Sequence, residues 1–221
     1  MDTSTERLAR LLQLASPALP VGAYSYSGGL EAAVEAGVVA DAAGAERWIA
    51  DVLEHSIASM EAPVLARLYA AWREDDRQAV ARWNERFLAS RETAELRAET
   101  VQMGYSLARL LRALGLGEIA LDEVAYPTAF AFGAARWEIG AEAALQAYLW
   151  SWLENQAMAA VKSVPLGQTE AQKMLLSLAN ALPRLAERAQ SLADEEWTNF
   201  APALALLSAR HETQYSRLFR S

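Results

Sequence analysis

The sequence predicts an all-α protein, folded as a single-domain bundle of roughly nine to ten helices over residues 1–221. Apolar residues recur at intervals of three and four along most of the chain, which is the spacing of one helix face. Residues that favour helix starts and stops punctuate this pattern. β-Branched residues are scarce and alternating apolar runs are short, so strands are not expected. A chain of 221 residues is most simply one domain and can bury a sizeable core.

Caps, glycines and prolines set the helix boundaries predicted for the first half of the chain. Thr3 and Glu6 form a predicted capping box for the first helix. Asp41 is the predicted N-cap of a helix that runs through Met60, and Pro63 is predicted to start the next helix. Further helices are predicted over 30–37, over 78–89 after a cap at Asp75, and from Ser90 or Glu92 to Leu114, where Gly115 ends the pattern.

The second half contains the most apolar helical patterns. Helices are predicted over 127–138 and 141–163, and the second is apolar almost all round, which is typical of a central helix. Thr169 and Gln172 form another predicted capping box, opening a helix that Pro183 should kink or end. A final helical region is predicted from Asp194 to the end of the chain, bent or restarted near Pro202.

The N-terminal loop, residues 14–31, differs in composition from the rest of the chain. It is apolar, yet prolines and glycines interrupt it. An apolar loop should be buried, and its backbone polar groups then need partners. We therefore predict a structured loop threaded into the core or a contact face, against the alternative of an ordinary interhelical connection. Hydroxyl groups that can supply partners belong to Ser16, Tyr24, Ser25, Tyr26 and Ser27.

Bulk composition excludes several classes of function. The chain has no cysteine, which fits a reducing cytoplasm and leaves no disulfide or thiolate metal site. A net charge of −8 argues against nucleic-acid binding, because such a surface must neutralise phosphates. No signal-peptide pattern or long uncharged apolar span is present, so we expect a cytoplasmic protein without membrane insertion.

A search for catalytic and metal-binding motifs finds none that is complete. His211-Glu212 begins like a zinc-binding HExxH motif, but Tyr215 stands where the second histidine is needed. The sequence lacks a phosphate-binding P-loop and a G-x-S-x-G nucleophile motif. Glu95 and Glu99 are one helical turn apart, so they form either an acid–base or carboxylate–metal pair or, more simply, a solvated helix face. We therefore predict no catalytic residue, metal site or cofactor.

Two further features suit contacts with partner proteins. Lys162 lies at the end of an apolar helix before a Pro-Gly turn, a position that suits either a helix C-terminus or a partner contact. The C-terminal tail, residues 208–221, has a local charge of +2 in an acidic chain, from three arginines and one glutamate. Tyr215, Leu218 and Phe219 add apolar side chains at helical spacing, and arginine and aromatic residues are favoured in interface hot spots. A docking tail is the favoured interpretation.

These features coincide with the signatures of a known family. Residues 14–31, LASPALPVGAYSYSGGLE, closely resemble the N-terminal signature of the urease accessory protein UreF family. The stretch 161–172 resembles its basic–Pro-Leu-Gly-Gln segment, and 211–219 resembles its C-terminal end. Residues 90–97, 102–104 and 126–130 are also similar, so the resemblance spans nearly the whole chain.

The resemblance implies an all-helical, homodimeric urease maturation chaperone of the cytoplasm, and not an enzyme. Such a protein bridges the accessory protein UreD (UreH in some organisms) and the nickel-carrying GTPase UreG. The assembled complex docks on apo-urease so that nickel is inserted. Nickel and GTP would then be bound by the partner, with no cofactor on this chain.

The resemblance and the contact features together predict a set of partner-binding residues. The C-terminal tail and the N-terminal segment are expected to bind UreD/UreH, and the face near Lys162 and Gln168, with Glu31 and the helix over 91–97, is expected to meet UreG. Two alternatives remain: a GTPase-activating protein in the strict sense, and a small helical carboxylate metalloenzyme. The predicted partner-binding residues are Tyr24, Ser27, Glu31, Lys162, Gln168, Arg210, His211, Glu212, Tyr215, Arg217, Leu218 and Phe219.

Overall fold

All regular secondary structure is helical in the part of the chain that the computed structural model describes, residues 3–221 with the side chain of Thr3 excepted. The α-helices are α1 (Thr3–Leu14), α2 (Leu30–Glu35), α3 (Ala42–Val52), α4 (Ala62–Arg73), α5 (Arg77–Ala89), α6 (Ala94–Ala113), α7 (Tyr126–Arg136), α8 (Ala141–Ser163), α9 (Gln168–Ala179), α10 (Leu182–Ser191) and α11 (Pro202–His211). A π-helical segment, Leu53–Glu61, joins α3 to α4 without a break, and a short 3₁₀ turn covers Ala23–Ser25. Residues 3–221 thus form ten separate α-helical stretches, which confirms the predicted all-α bundle.

The predicted break between Met60 and Pro63 is wrong, and the π-helical segment explains why. Proline has no N–H to donate to the carbonyl group four residues earlier, here that of Ser59. The Ser59 carbonyl instead accepts a hydrogen bond from the backbone N–H of Thr198, at 3.2 Å. Thr198 lies in the connection between α10 and α11, and π-helical turns accommodate such a change of hydrogen-bond register. The helix therefore continues through Pro63.

Several predicted caps are displaced by a few residues. Asp76, not Asp75, caps α5 by accepting a hydrogen bond from the Ala79 N–H at 2.9 Å. Thr93 caps α6 in place of Ser90 or Glu92. Asp41 caps α3 as predicted, α6 ends before Gly115, and α8 has the predicted bounds. The capping box predicted at Thr3 depends on a side chain outside the described residues.

The predicted start of α9 and the predicted last helix are also corrected. Helix α9 begins at Gln168, and the Glu170 carboxylate accepts a hydrogen bond from the Gly167 N–H at 2.9 Å, so the capping box at Thr169 and Gln172 is wrong. Helix α9 ends at Ala179, and Pro183 lies in the first turn of α10. No helix begins at Asp194, and the chain after His211 is not helical. Residues 215–219 therefore do not share a helix face.

Helices α7 and α8 form the centre of the bundle. Every residue over 127–135 is buried, which makes α7 more completely buried than α8, the helix predicted to be central. Helix α7 packs between α4 and α6, and α8 contacts α1, α2, α4, α9 and α10. No described helix is long and apolar enough to cross a membrane.

Candidate functional site

The C-terminal tail folds back onto the N-terminal loop. The Arg220 N–H donates to the Ser25 carbonyl oxygen at 2.8 Å, and the Ser27 N–H donates to the Ser221 carbonyl oxygen at 3.0 Å. The Ser27 hydroxyl also donates to the Ser221 carbonyl oxygen, at 2.5 Å. Segments almost two hundred residues apart in the sequence thus lie side by side. The loop is packed into the structure as predicted, with Val21, Tyr26 and Ser27 buried.

Glu31, in the first turn of α2, holds the tail in place. Its carboxylate accepts hydrogen bonds from the backbone N–H groups of Leu218, at 2.7 Å, and Phe219, at 2.9 Å. The residue is 8% exposed, and the same carboxylate lies 3.2 Å from Nε2 of His211. A buried carboxylate is stable only with such partners, and hydrogen bonds to a charged acceptor are strong.

His211 connects this carboxylate to helix α6. The imidazole is fully buried, and its Nδ1 lies 2.6 Å from Oε2 of Glu95, whose other oxygen accepts a hydrogen bond from Arg217 at 2.6 Å. The ring thus lies between a carboxylate of α2 and a carboxylate of α6. We call Glu31, Glu95, His211 and Arg217 the His211 cluster.

The end of α8 meets the same tail. The ammonium group of Lys162 lies 5.3 Å from the ring centroid of Phe219, a cation–π distance. Phe219 is 6% exposed and is the buried apolar side chain of residues 212–221. The Asn155 side chain, also on α8, donates to the Tyr26 carbonyl oxygen at 3.1 Å. The N-terminal loop, the end of α8 and the C-terminal tail thus form one continuous face.

A cavity of about 250 Å³ lies beneath this face. Its walls come from the N-terminal loop, the π-helical segment, α6 and α8. Most of the lining is apolar, and exposed lining residues, among them Tyr24, Met158 and Lys162, mark where the cavity reaches the surface. The π-helical segment contributes Ser56, Ile57 and Glu61 to the wall, so its unusual geometry shapes the cavity directly.

The cavity wall contains a buried ion pair. Arg91 donates to one oxygen of Glu61 at 2.7 Å, and the Tyr148 hydroxyl donates to the other at 2.6 Å. The side chains of Arg91 and Glu61 are 6% and 12% exposed. The Nε atom of Arg91 is buried and has no hydrogen-bond partner among the described residues. A buried pair of this kind is costly to break because the remaining charge stays unpaired.

Burial changes the protonation of the groups around the cavity. Loss of hydration raises the pKa of Glu99 to about 7, and the nearby charges of Glu61 and Glu95 act in the same direction. The Ser221 hydroxyl, which donates to Glu99 at 2.6 Å, and the charge of Arg91 oppose this shift. Burial likewise raises the pKa of Tyr148, with Glu61 as the second cause. Glu99 thus holds its proton to a higher pH than an ordinary glutamate does.

The predicted partner-binding residues divide into two groups. Ser27, Glu31, His211 and Phe219 are buried and hold the tail and the loop together. The others are exposed; among them, Glu212 accepts a hydrogen bond from the Ala94 N–H at 2.8 Å. The exposed group comprises Tyr24, Lys162, Gln168, Arg210, Glu212, Tyr215, Arg217 and Leu218. Whether they contact partners stays a prediction.

Sequence reasoning missed the ion pair in the cavity wall. A glutamate two residues before Pro63 in an otherwise apolar stretch is a usable signal of a buried charge. Nothing in the local pattern pairs it with Arg91, which lies in the stretch 91–97 expected to meet UreG, or with Tyr148, which lies in the apolar helix over 141–163. The paired glutamates Glu95 and Glu99 are not a solvated face, since both accept hydrogen bonds from the C-terminal tail. Within residues 3–221, no group of three or more histidine, cysteine, aspartate or glutamate side chains is arranged to hold a metal ion.

The fold and the site define an all-helical protein whose N-terminal loop and C-terminal tail together cover a largely apolar cavity with a buried ion pair in its wall. Comparison with known proteins gives the family. The UreF family model matches residues 39–179, and the chain is 62% identical to the urease accessory protein UreF of Azoarcus sp. (strain BH72), covering 97% of this chain and 95% of the relative. The corresponding proteins of Dechloromonas aromatica (strain RCB) and Janthinobacterium sp. (strain Marseille) are 56% and 55% identical, with coverage of at least 97% of each chain. The chain belongs to the urease accessory protein UreF family.

Proposed function

We propose that this protein bridges UreD/UreH and the GTPase UreG in a complex that inserts nickel into apo-urease. The proposal rests on family membership and on one observation. The C-terminal tail is held to the body by buried groups, while Arg210, Tyr215 and Leu218 remain exposed on it. Tyr215 is fully exposed and Leu218 is 72% exposed. Large side chains presented on an anchored segment are suited to act as contact residues.

In this proposal the exposed tail side chains bind UreD/UreH. The double substitution Tyr215→Ala with Leu218→Ala removes both apolar contacts without touching a buried side chain. We expect it to abolish co-purification with UreD/UreH from cells that express all urease proteins. Leu176→Ala with Tyr105→Ala is the matched control, since both residues are exposed, on α9 and α6. Normal co-purification of the tail variant would contradict this assignment.

The face around Lys162 is assigned to UreG. Lys162, Tyr24 and Met158 surround the mouth of the cavity, and Gln168 is exposed at the start of α9. Lys162→Ala should lower the amount of UreG recovered and the nickel content of urease, while UreD/UreH still co-purifies. Lys173→Ala, at the other lysine of the chain and also exposed, should change neither. Equal effects of the two substitutions would contradict the assignment of the Lys162 face to UreG.

The role in maturation is tested by deleting the chain from cells that make urease. We expect urease protein at normal levels with little nickel and little activity, and recovery when the chain is supplied again. Urease with full nickel content in the deletion strain would overturn the proposed function. The homodimer implied by the family resemblance is part of the proposal, and sedimentation of the purified protein tests it.

A further inference from the structure

The cavity beneath the N-terminal loop has an aromatic and aliphatic wall. The ring centroids of Tyr126 and Tyr148 are 5.6 Å apart, so these two rings form one continuous part of it. Aliphatic side chains come from the loop, the π-helical segment and α6, and include Leu19, Ile57 and Met103. Binding pockets for small organic molecules have this composition, apolar and aromatic with a few polar groups. The aromatic lining residues are Tyr24, Tyr126, Tyr148 and Trp152.

The charged side chains that line the cavity have an excess of negative charge. Arg91 is paired with Glu61, so that these two together are neutral. Lys162 is exposed at the rim, where its ammonium group lies over the ring of Phe219. The other charged lining residues are carboxylates, and none of them forms an ion pair with a described residue: Glu92, Glu99 and Glu154.

Glu99 is the carboxylate of this set whose environment most needs a cation. Glu92 is exposed, whereas loss of hydration raises the pKa of Glu99 to about 7. The Ser221 hydroxyl donates a hydrogen bond to Glu99 at 2.6 Å, but no described lysine or arginine nitrogen is within 4 Å of it. A carboxylate that is shielded from water and has no paired cation is held partly in its neutral form. A positively charged ligand would supply the missing partner.

We propose that this cavity binds a small organic cation, that is, an amine or a quaternary ammonium group on an apolar body. The positive charge lies near Glu99, and the aromatic wall surrounds it, because the faces of aromatic rings attract cations. An anion would be repelled by the unpaired carboxylates, and a neutral molecule would leave Glu99 without a partner. This inference concerns the chain by itself and holds whether or not the rim around Lys162 meets UreG.

The proposal predicts how binding depends on pH. A bound cation favours the ionised form of Glu99, so binding lowers the pKa of this group and releases a proton. Affinity should therefore rise as pH increases through about 7, by about tenfold between pH 6 and pH 8 if the ionised form alone binds. The described groups that act on Glu99 are Glu61 of the π-helical segment, Arg91 before α6, Glu95 of α6, Ser221 of the tail and Tyr26 of the N-terminal loop.

Isothermal titration calorimetry on the intact protein tests the proposal, with choline as the probe. The comparison ligand is the neutral isostere of choline, in which carbon replaces the ammonium nitrogen, so that shape is kept and charge is lost. At pH 8 choline should bind at least about tenfold more tightly than the isostere, because only choline has a charge for Glu99. At pH 6 the affinity for choline should be about tenfold lower, and that for the isostere unchanged.

Two substitutions locate the site. Glu99→Gln keeps an acceptor for Ser221 and cannot ionise, so choline should bind at least about tenfold more weakly at pH 8 and without dependence on pH, while the isostere binds as before. Glu35→Gln, at an exposed residue of α2, is its matched control. Trp152→Leu should weaken binding of choline, whereas Trp137→Leu, at another partly buried tryptophan outside the cavity lining, should not.

Each result supports or overturns the inference. It is overturned if choline at millimolar concentration gives no binding heat with the unaltered chain, or if the neutral isostere binds as tightly as choline. Retention of the full affinity and pH dependence in Glu99→Gln would also overturn it, since the charge would then be bound elsewhere. Glu99→Gln decides the outcome even if Trp152→Leu lowers the stability of the fold, because the isostere reports in the same variant whether the cavity is intact.

Discussion

Arg91 illustrates how one residue can determine the stability of the candidate site. Its guanidinium group neutralises Glu61 in a wall that water reaches poorly, and it also lies 4.4 Å from the ring centroid of Phe87. Removing the cation leaves the carboxylate of Glu61 buried beside the hydroxyl of Tyr148. Substitution of Arg91 should therefore lower the free energy of unfolding, whereas substitution of a surface arginine should change it little.

Arg91→Met is expected to lower the free energy of unfolding by roughly 3–5 kcal/mol, because it leaves a buried charge unpaired. Urea denaturation at neutral pH measures this. Arg97→Met is the control: its pair with Glu123 is exposed, and little change is expected. Adding Glu61→Gln to Arg91→Met should restore part of the loss. Similar effects of the two arginine substitutions would show that the cavity wall is solvated.

At the scale of helices, α6 passes very close to the residues that precede α7. A Cβ atom on Gly104 would lie 2.0 Å from the Val124 carbonyl oxygen and 2.7 Å from the Ala125 carbonyl carbon. The adjacent Thr100 hydroxyl accepts a hydrogen bond from the Tyr126 N–H at 3.0 Å, which fixes the start of α7 against α6. Only glycine allows this packing, and α7 forms much of the core.

Gly104→Ala should therefore be destabilising although alanine is the better helix former. We expect a loss of about 2–4 kcal/mol in the free energy of unfolding, because the clash is with backbone and the two segments must separate. Gly140→Ala is the control, since a Cβ there would meet nothing within 4 Å. Thermal unfolding followed by circular dichroism compares the two variants. A stability gain in Gly104→Ala would show that the packing of α6 on α7 is looser than described.

The helices themselves were largely predictable from the sequence, because their signals are local. Spacing, caps and glycines predicted α8 and the end of α6. Prediction failed where a distant group decides the local structure. Pro63 does not break its helix, because Thr198 satisfies the carbonyl that the proline leaves free. Residues 212–221 are not helical, because backbone donors of Leu218 and Phe219 find an acceptor in Glu31.

The segments that meet at the candidate site were predictable from the sequence, but their arrangement and the ion pair in the cavity wall were not. The unusual composition of the N-terminal loop, the lysine before the Pro-Gly turn and the basic tail each indicated contacts. No local pattern shows that Glu31 and His211 meet, or that the glutamates of α6 lie beneath the tail. The extent of burial also differs between neighbouring apolar residues that the sequence does not distinguish: Leu218 is 72% exposed, whereas Phe219 is 6% exposed.

At the scale of the whole molecule, the tail completes the structure without forming its core. Deleting residues 212–221 removes the hydrogen bonds to the N-terminal loop, yet it removes little buried apolar surface beyond Phe219. We expect helical circular dichroism to be retained, unfolding to remain cooperative, and stability to fall by about 2–4 kcal/mol. Chymotrypsin should cut faster after Tyr26, which is buried in the full chain. Loss of cooperative unfolding would mean that the tail belongs to the core.

The pairing of the N-terminal loop with the tail also bears on synthesis. The hydrogen bonds of Glu31 to residues 218 and 219 span 187 and 188 positions of the sequence. Contacts of such separation form late, and the loop leaves the ribosome long before its partner segment is translated. A nascent chain that ends before residue 218 therefore exposes the loop and the Glu31 carboxylate without the tail. The face formed by the loop, the end of α8 and the tail is complete only once these residues have been translated.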